Sequence, residues 1–368
     1  LASDGTCTAK ITNNLSNRRI NANGDMRIAQ RSTSTATGDG IHTVDRMYGN
    51  RSGGTSQQGR SDLSSSDTGP WEEGFKYSFK LTNTGSSSSQ AAYREIQTRL
   101  EGQDVNAWVH TSTSSYITVS FWAKSSVAGT YYLWLRSKNG TNKVYSHSYT
   151  LEANTWKKVS FTTPGASNVD IANDNAAGLN INIAVDWGTN YTDAGTSTGS
   201  WATFVSGTRL PNFAQDWTGT TNATFEVTGL QVEAGSTPSD YEFRNYGDEL
   251  TRCQRYYQVI AKGSEGSSGT HNPIVSGAMY SDNNFWYGVA RFQTKMRTGP
   301  TLAVVNGTDY YGVYRGGGID LCDDVAVNNE SPDSATIRFG GNLSGTRPAA
   351  GWARTNHGSA FVAFAAEL

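Results

Sequence analysis

Gly229-Leu-Gln-Val-Glu-Ala-Gly-Ser-Thr-Pro-Ser-Asp-Tyr-Glu-Phe-Arg-Asn-Tyr-Gly-Asp-Glu-Leu-Thr-Arg-Cys-Gln-Arg-Tyr-Tyr-Gln258 is the stretch on which the fold turns. Running into it, Phe225, Val227, Leu230 and Val232 alternate with polar residues in an imperfect period of two, the pattern of a half-buried strand. Gly235, Ser236 and Pro238 then signal a turn. A helical pattern follows: Leu250, Cys253 and Tyr257 stand three and four apart, Asp248 and Glu249 open the segment, and Arg252 and Arg255 come later in it. One short helix therefore joins two β bodies.

Upstream of that joint, Phe75, Tyr77, Phe79 and Leu81 alternate with Lys76, Ser78 and Lys80, and 116–122 and 131–135 repeat the habit. Segments 93–100, 156–161 and 179–185 add further strands, and 44–48 a short one. Turn signals at short intervals suit an all-β sandwich or jelly roll and disfavour alternating strand and helix units. Residues 53–66 read as a mobile polar loop, and 186–222 as a long Gly/Thr/Ser loop carrying five aromatics. Downstream, 275–292, 301–305, 310–314, 335–339 and 361–364 make a small β domain. The expected fold class is all-β, an antiparallel jelly-roll sandwich followed by a short helix and a smaller C-terminal β domain. The expected boundaries are 1–19 for a connector from an upstream region, 20–242 for the sandwich, 243–258 for the helix and 259–368 for the last domain.

A chain of 368 residues can bury two or three separate cores. Charged residues make up 17% and aromatics 11%, a composition of strands and turns rather than of disorder. The formal net charge of -2 supplies no basic field, so nucleic acid is not an expected partner. No apolar run approaches the roughly 18 residues of a membrane span, so no membrane insertion is expected. Because the chain opens at Leu1 without methionine, an upstream piece is expected. Cys7, Cys253 and Cys322 lack metal-ligand spacing and read as free thiols of a protein assembled in a reducing cytoplasm.

The chemistry of catalysis is not advertised. There is no phosphate loop, no histidine pair at helical spacing and no Gly-x-Ser-x-Gly elbow, and His42, His110, His147, His271 and His357 are scattered. The adjacent pairs Glu72-Glu73 and Asp323-Asp324 would point to opposite faces of a regular strand, which does not make a facing pair of acids for glycoside hydrolysis. Exposed aromatics are the feature of interest. Trp187, Tyr191, Trp201 and Trp217 lie in the long loop among Asn, Asp and Arg, so they read either as platforms for sugar rings or as core and subunit packing. Phe285, Trp286 and Tyr287 in the small last domain read as a subunit interface.

Four blocks carry a resemblance: Asn23-Gly-Asp-Met-Arg-Ile-Ala-Gln-Arg31, Thr43-Val-Asp-Arg46, Gly229-Leu-Gln-Val-Glu-Ala-Gly235, and Glu242-Phe-Arg-Asn-Tyr-Gly-Asp-Glu-Leu-Thr-Arg-Cys-Gln-Arg-Tyr-Tyr257. With the closing Ala365-Ala-Glu-Leu368, the chain resembles a family of tailed-phage fibre and virion-appendage proteins common among phages of marine and cyanobacterial hosts. The resemblance implies a jelly roll similar to carbohydrate-binding modules, a small C-terminal β domain, a homotrimer, contact with other virion proteins through the upstream region, and display on the virion for attachment to a host-surface glycan or receptor. Related jelly rolls often hold calcium with an acidic residue on the final strand. Here Thr228-Gly229 stands where an acidic pair is expected, so no cofactor is expected, and Asp25 is the remaining oxygen ligand for such an ion. The leading expectation is a non-catalytic virion fibre or spike. The alternatives are a glycan-binding module of a secreted enzyme, a polysaccharide-degrading tailspike and a capsid decoration protein.

Overall fold

The computed structural model describes residues 17–263, 271–279, 284–344 and 348–368. They form two compact units: the first takes the chain up to Met26, Thr37–Asp39 and Tyr48–Arg244, and the second takes Arg27–Ala36, Gly40–Met47 and Asn245–Leu368. Cys7 lies outside the described residues.

The first unit is a β-sandwich of jelly-roll type. Its strands are β1 (Ala36–Thr37), β2 (Tyr48–Ser52), β3 (Thr55–Asp62), β4 (Tyr77–Gly85), β5 (Tyr93–Glu101), β6 (Tyr116–Ser125), β7 (Gly129–Ser137), β8 (Lys143–Leu151), β9 (Lys157–Pro164), β10 (Ala177–Trp187), β11 (Ala202–Thr203) and β12 (Thr224–Ala234). One six-stranded sheet runs β1-β3-β4-β12-β6-β9 and the other β11-β8-β7-β10-β5-β2. Alternation sends Phe79, Leu81, Phe121, Phe225 and Val227 of the first sheet toward Tyr131, Leu133, Leu135, Ile181 and Ile183 of the second, all buried. Ring pairs bridge the layers, Tyr131 to Phe225 at 5.1 Å and Phe121 to Tyr149 at 5.7 Å.

The imperfect period of the last sandwich strand has a backbone cause. The register of β12 against β6 shifts between Thr228 and Gln231, where Gly229 sits at φ +63°. This is a β-bulge, and the extra residue moves the inward set from Phe225 and Val227 to Leu230 and Val232. Only glycine suits the position, because a Cβ would come within 2.7 Å of the Phe75 ring. The expected polar loop 53–66 is instead largely strand β3. Its Ser56 and Gln58 are buried without any apolar alternation, so pairing with β4 rather than hydrophobicity fixes it.

In the second unit, α1 (Tyr246–Gln254) leads into β13 (Tyr257–Lys262), β14 (Pro273–Met279), β15 (Trp286–Arg291), β16 (Thr301–Val305), β17 (Tyr311–Arg315), β18 (Gly318–Cys322), β19 (Asp324–Glu330), β20 (Ser334–Gly340), β21 (Ala349–Thr355) and β22 (Phe361–Ala365). A three-stranded sheet β13-β22-β16 and a seven-stranded sheet β18-β17-β21-β14-β15-β20-β19 share one core containing Met279, Trp286, Tyr311, Phe339, Val362 and Phe364. The helix is shorter than the 243–258 expected, since Tyr257 already pairs with Ala365 as a strand residue. Trp286, expected at a subunit interface, is fully buried inside this unit, 5.5 Å from the Phe339 ring. Tyr287 alternates to the opposite face of the sheet, and the half-buried Phe285 ring lies under Arg338.

Segments 27–36 and 40–47, expected in the sandwich, pack with the second unit for an electrostatic reason. The Arg31 guanidinium lies 3.6 Å over the Tyr257 ring and that of Arg46 lies 3.5 Å over Tyr256. Both donate to the carboxylate of Glu367, Arg31 at 3.0 Å. Gln30 donates to Asp45 and, at 2.8 Å, to the Tyr257 carbonyl. The first, second, fourth and closing blocks of the resemblance thus meet at one buried cluster.

Candidate functional site

Strand pairing lays side chains in rows across the outward face of the second sandwich sheet. The order is Arg99, Asn180, Arg136 in one row, then Tyr48, Gln97, Asn182, Trp134, then Asn50, Glu95, Ala184, Tyr132. The inward neighbours on the same strands, among them Ile96, Leu100, Ile181 and Leu135, fill the core. The polar members are linked: Arg99 Nε donates to Gln97 Oε1 at 2.6 Å, Gln97 Nε2 donates to Asn182, and Asn182 Nδ2 donates to the Trp134 carbonyl at 3.0 Å. Trp134 Nε1 donates to Glu95 Oε2 at 2.9 Å, and Asn50 Nδ2 to the other oxygen at 3.3 Å.

The long loop after β10 folds over part of this face. Leu210, Phe204 and Phe213 pack on Tyr132, Trp134 and Trp187, with Phe213 edge-on to Tyr132 at 4.9 Å. Arg209 reaches back over Trp187 at 4.8 Å and Tyr191 at 4.9 Å. Where the loop meets the end of β10 it leaves an open cleft of about 360 Å³, walled by 87–90, 186–189, Thr192 and 212–216 together with Thr218. Two aromatics, Trp187 and Phe213, stand there among Ser, Gln, Asn and Asp side chains. Asp186 is fixed in that wall by the backbone N–H of Thr218 at 2.7 Å and its hydroxyl at 2.9 Å. Trp187 Nε1 and Thr192 Oγ1, buried in the same wall, have no hydrogen-bond partner. Such orphans cost about 1–3 kcal/mol each.

The four sequence-expected platform residues separate. Trp187 lines the cleft and Tyr191 packs edge-on against it at 5.3 Å. Trp201 stacks elsewhere, on Trp108 at 6.2 Å, and donates to the Pro164 carbonyl at 2.7 Å. Trp217 is fully buried, with its indole N–H on the Thr224 carbonyl at 3.3 Å, so it is core and offers no face to a ligand. Phe213, one of the five aromatics read in the long loop, joins Trp187 in the cleft, and Glu95, Gln97, Arg99, Arg136, Asn180, Asn182 and Arg209 join the site unforeseen. Their signal was present in Tyr-Arg-Glu-Ile-Gln-Thr-Arg-Leu at 93–100, where Tyr93, Glu95, Gln97 and Arg99 occupy one face of the strand.

Burial dominates the electrostatics. It pushes the Glu95 carboxyl up to about 7 against the lowering pull of the Asn50 and Trp134 hydrogen bonds. It likewise raises Asp186 and lowers Arg209 and Arg136, the last with Arg209 repulsion added. Asp25, the candidate calcium ligand, is buried near the bulge of β12, and among the described residues no three His, Cys, Asp or Glu side chains gather as a metal set. Cys253 and Cys322 are buried free thiols whose burial raises their pKa, which keeps them as thiols. No helix among the described residues is long and apolar enough to cross a membrane.

No family model matches the sequence, and no curated protein sequence does. Among solved structures, the enzymatically active domain of tailspike protein 4 of bacteriophage CBA120 aligns with 59% of this chain at 12% identity and a TM-score of 0.31, and the chain spans only 22% of that domain. The N-terminal cellulose-binding domain of Cellulomonas fimi β-1,4-glucanase C aligns with 44% of this chain and 80% of its own at 11% identity and a TM-score of 0.26. A family 61 carbohydrate-binding module in complex with β-1,4-galactotriose covers 60% of this chain and 99% of its own at 8% identity and a TM-score of 0.28. At such values the ligand has to be argued from this chain's own residues.

Proposed function

We propose that this chain is a virion appendage protein, a fibre or spike, whose jelly-roll unit attaches to host-surface glycan. The observation that carries the glycan part is the open cleft at the end of β10, where the part-exposed Phe213 ring offers the apolar surface and the buried Trp187 lines the wall beside Asp186, Gln215, Asp216 and Asn212. Sugar rings need that pairing, an apolar face to stack on and fixed polar groups for the hydroxyls. The virion part rests on the resemblance, whose separated blocks converge on the Glu367 cluster. The chain is read as binding rather than catalytic because the acid of the face, Glu95, is engaged by Trp134 and Asn50. A glycan array probed with the full chain and with Phe213→Ala tests the cleft. Saccharide retention lost at least about tenfold in the variant is expected, and equal retention would remove the cleft from the proposal. Detection of the chain in purified particles separates a virion protein from a module of a secreted enzyme.

Trimeric assembly belongs to the same proposal. The outward face of the seven-stranded sheet holds Ile319, Tyr314 and Trp352 in one row, with Tyr314 stacked on Trp352 at 4.6 Å. Ile319 and Trp352 are each 40% exposed, and Val289 two strands from Trp352 is 51% exposed. Apolar surface of that kind on a β face suits a second copy of the chain.

A further inference from the structure

We infer that Gln215 is the positioning residue of the cleft: its amide holds the wall that presents Phe213, and Gly129, which lies outside the cleft, leaves it the room to do so. This rests on the glycan reading above and names what fixes that site for its ligand. Residues 211–216 belong to no strand or helix and the Phe213 ring is only half-buried, so neither a backbone ladder nor full burial sets its place. The end of the second sheet supplies the hold. Pairing of β7 with β10 stops at Tyr132 opposite Ala184, where the register of β10 against β5 also shifts before Asp186. Thr130 lies two residues beyond that pairing. The Gln215 amide takes the place of a facing strand there, donating to the Thr130 carbonyl at 2.7 Å and accepting from the Thr130 backbone N–H at 3.1 Å.

Exchanging both bonds with one residue is what a hydrogen-bonded partner does in an antiparallel ladder, and it fixes both ends of the amide. The other ties act further from the ring or at longer range. The Tyr132 hydroxyl reaches the Asn212 carbonyl only at 3.4 Å, and Asp186 grips Thr218, on the far side of Asp216. Gln215 stands between them, two residues from Phe213. Its seat on β7 is tight. A Cβ on Gly129 would come within 2.5 Å of Gln215 Oε1 and 2.9 Å of Gln215 Cβ. Glycine at 129 is therefore set by the close approach of a neighbouring side chain, and a larger residue pushes the amide off Thr130. Gly129 is not part of the cleft lining, so its replacement moves the wall without touching a ligand.

A 4-fluorophenylalanine label at position 213 of the full chain, read by fluorine NMR, reports the wall with no saccharide present. The folded parent should give a resonance displaced from that of the unfolded chain by the Tyr132 ring, and Gln215→Ala and Gly129→Ala should each move it toward the unfolded position. Thermal melting of each variant confirms that it is folded. Retention on a glycan array should fall roughly three- to tenfold in both variants, because the wall is then ordered at the expense of binding. In a Phe213→Ala background, Gln215→Ala should cause no further loss, since a wall without its ring has nothing to present. An unmoved resonance, retention by Gly129→Ala equal to the parent's, or losses that add in the double variant would overturn the inference. Retention by the parent with an undiminished Gln215→Ala defeats this positioning alone, whereas retention of no saccharide by the parent defeats the glycan reading with it.

Discussion

Trp134 on β7 donates its indole N–H to Glu95 on β5 at 2.9 Å, reaching across the intervening strand β10 on the outward face of the sandwich. The bond anchors an acid that burial raises from 4.5 to about 7. The folded state therefore binds a proton between those values that the unfolded chain has released, and stability contributed by Glu95 falls as pH rises from 4.5 to about 7. The full difference is about 3 kcal/mol above pH 7. Glu95→Gln keeps a hydrogen-bond acceptor without the charge. We expect the variant to match the parent near pH 4.5 and to be more stable at pH 8, measured by denaturant titration at both pH values. The same gap at both pH values would show that Glu95 does not carry a raised pKa.

Glu367, one residue from the end of the chain, holds Arg31 and Arg46 together against Tyr257 and Tyr256. Glu367→Ala leaves two largely buried guanidinia without that carboxylate, at a cost of roughly 3 kcal/mol or more. Amide exchange should rise in 27–36 and 40–47 ahead of the seven-stranded sheet, and Glu367→Gln should restore part of the protection. Unchanged exchange in both segments would remove the carboxylate from their docking.

Trp286 and Trp352 separate folding from assembly. Trp286→Ala should cost about 3–5 kcal/mol in the second unit, since it empties a fully enclosed site. Trp352→Ser should leave the fold within roughly 0.5 kcal/mol and weaken self-association. Denaturation and sedimentation equilibrium distinguish the two. A chain that sediments as a monomer at micromolar concentration before any substitution would end the trimer proposal.

Gly229→Ala places a methyl against the Phe75 ring at a backbone φ of +63°. A loss of roughly 1–3 kcal/mol is expected from the strain and the clash. Thermal denaturation would show it, and an unaltered midpoint would mean that the bulge tolerates a side chain.

Local chemistry made much of the architecture legible. Period-two runs such as Phe75 to Leu81 specify strands because one face has to be buried, and Asp248, Glu249 and Cys253 specify a helix turn by their spacing. Strand β3 was hidden because Thr-Ser-Gln-Gln-Gly-Arg-Ser-Asp carries no apolar alternation and becomes a strand through its partner β4. In the site, Trp187 was readable as an aromatic in a long polar loop. Trp217 carried the same local signal and is core.

By itself the sequence determined the β class, the joint near Tyr246 and the residue types available for contact, because hydrophobic period, turn residues and charge are properties of short stretches. Tertiary structure alone decided that Arg99, Asn180 and Arg136 share a row, that Arg31 and Arg46 answer to Glu367, and which tryptophans face solvent. Those are relations between residues tens to hundreds of positions apart, set by strand register and by the low tolerance of buried charge for solitude.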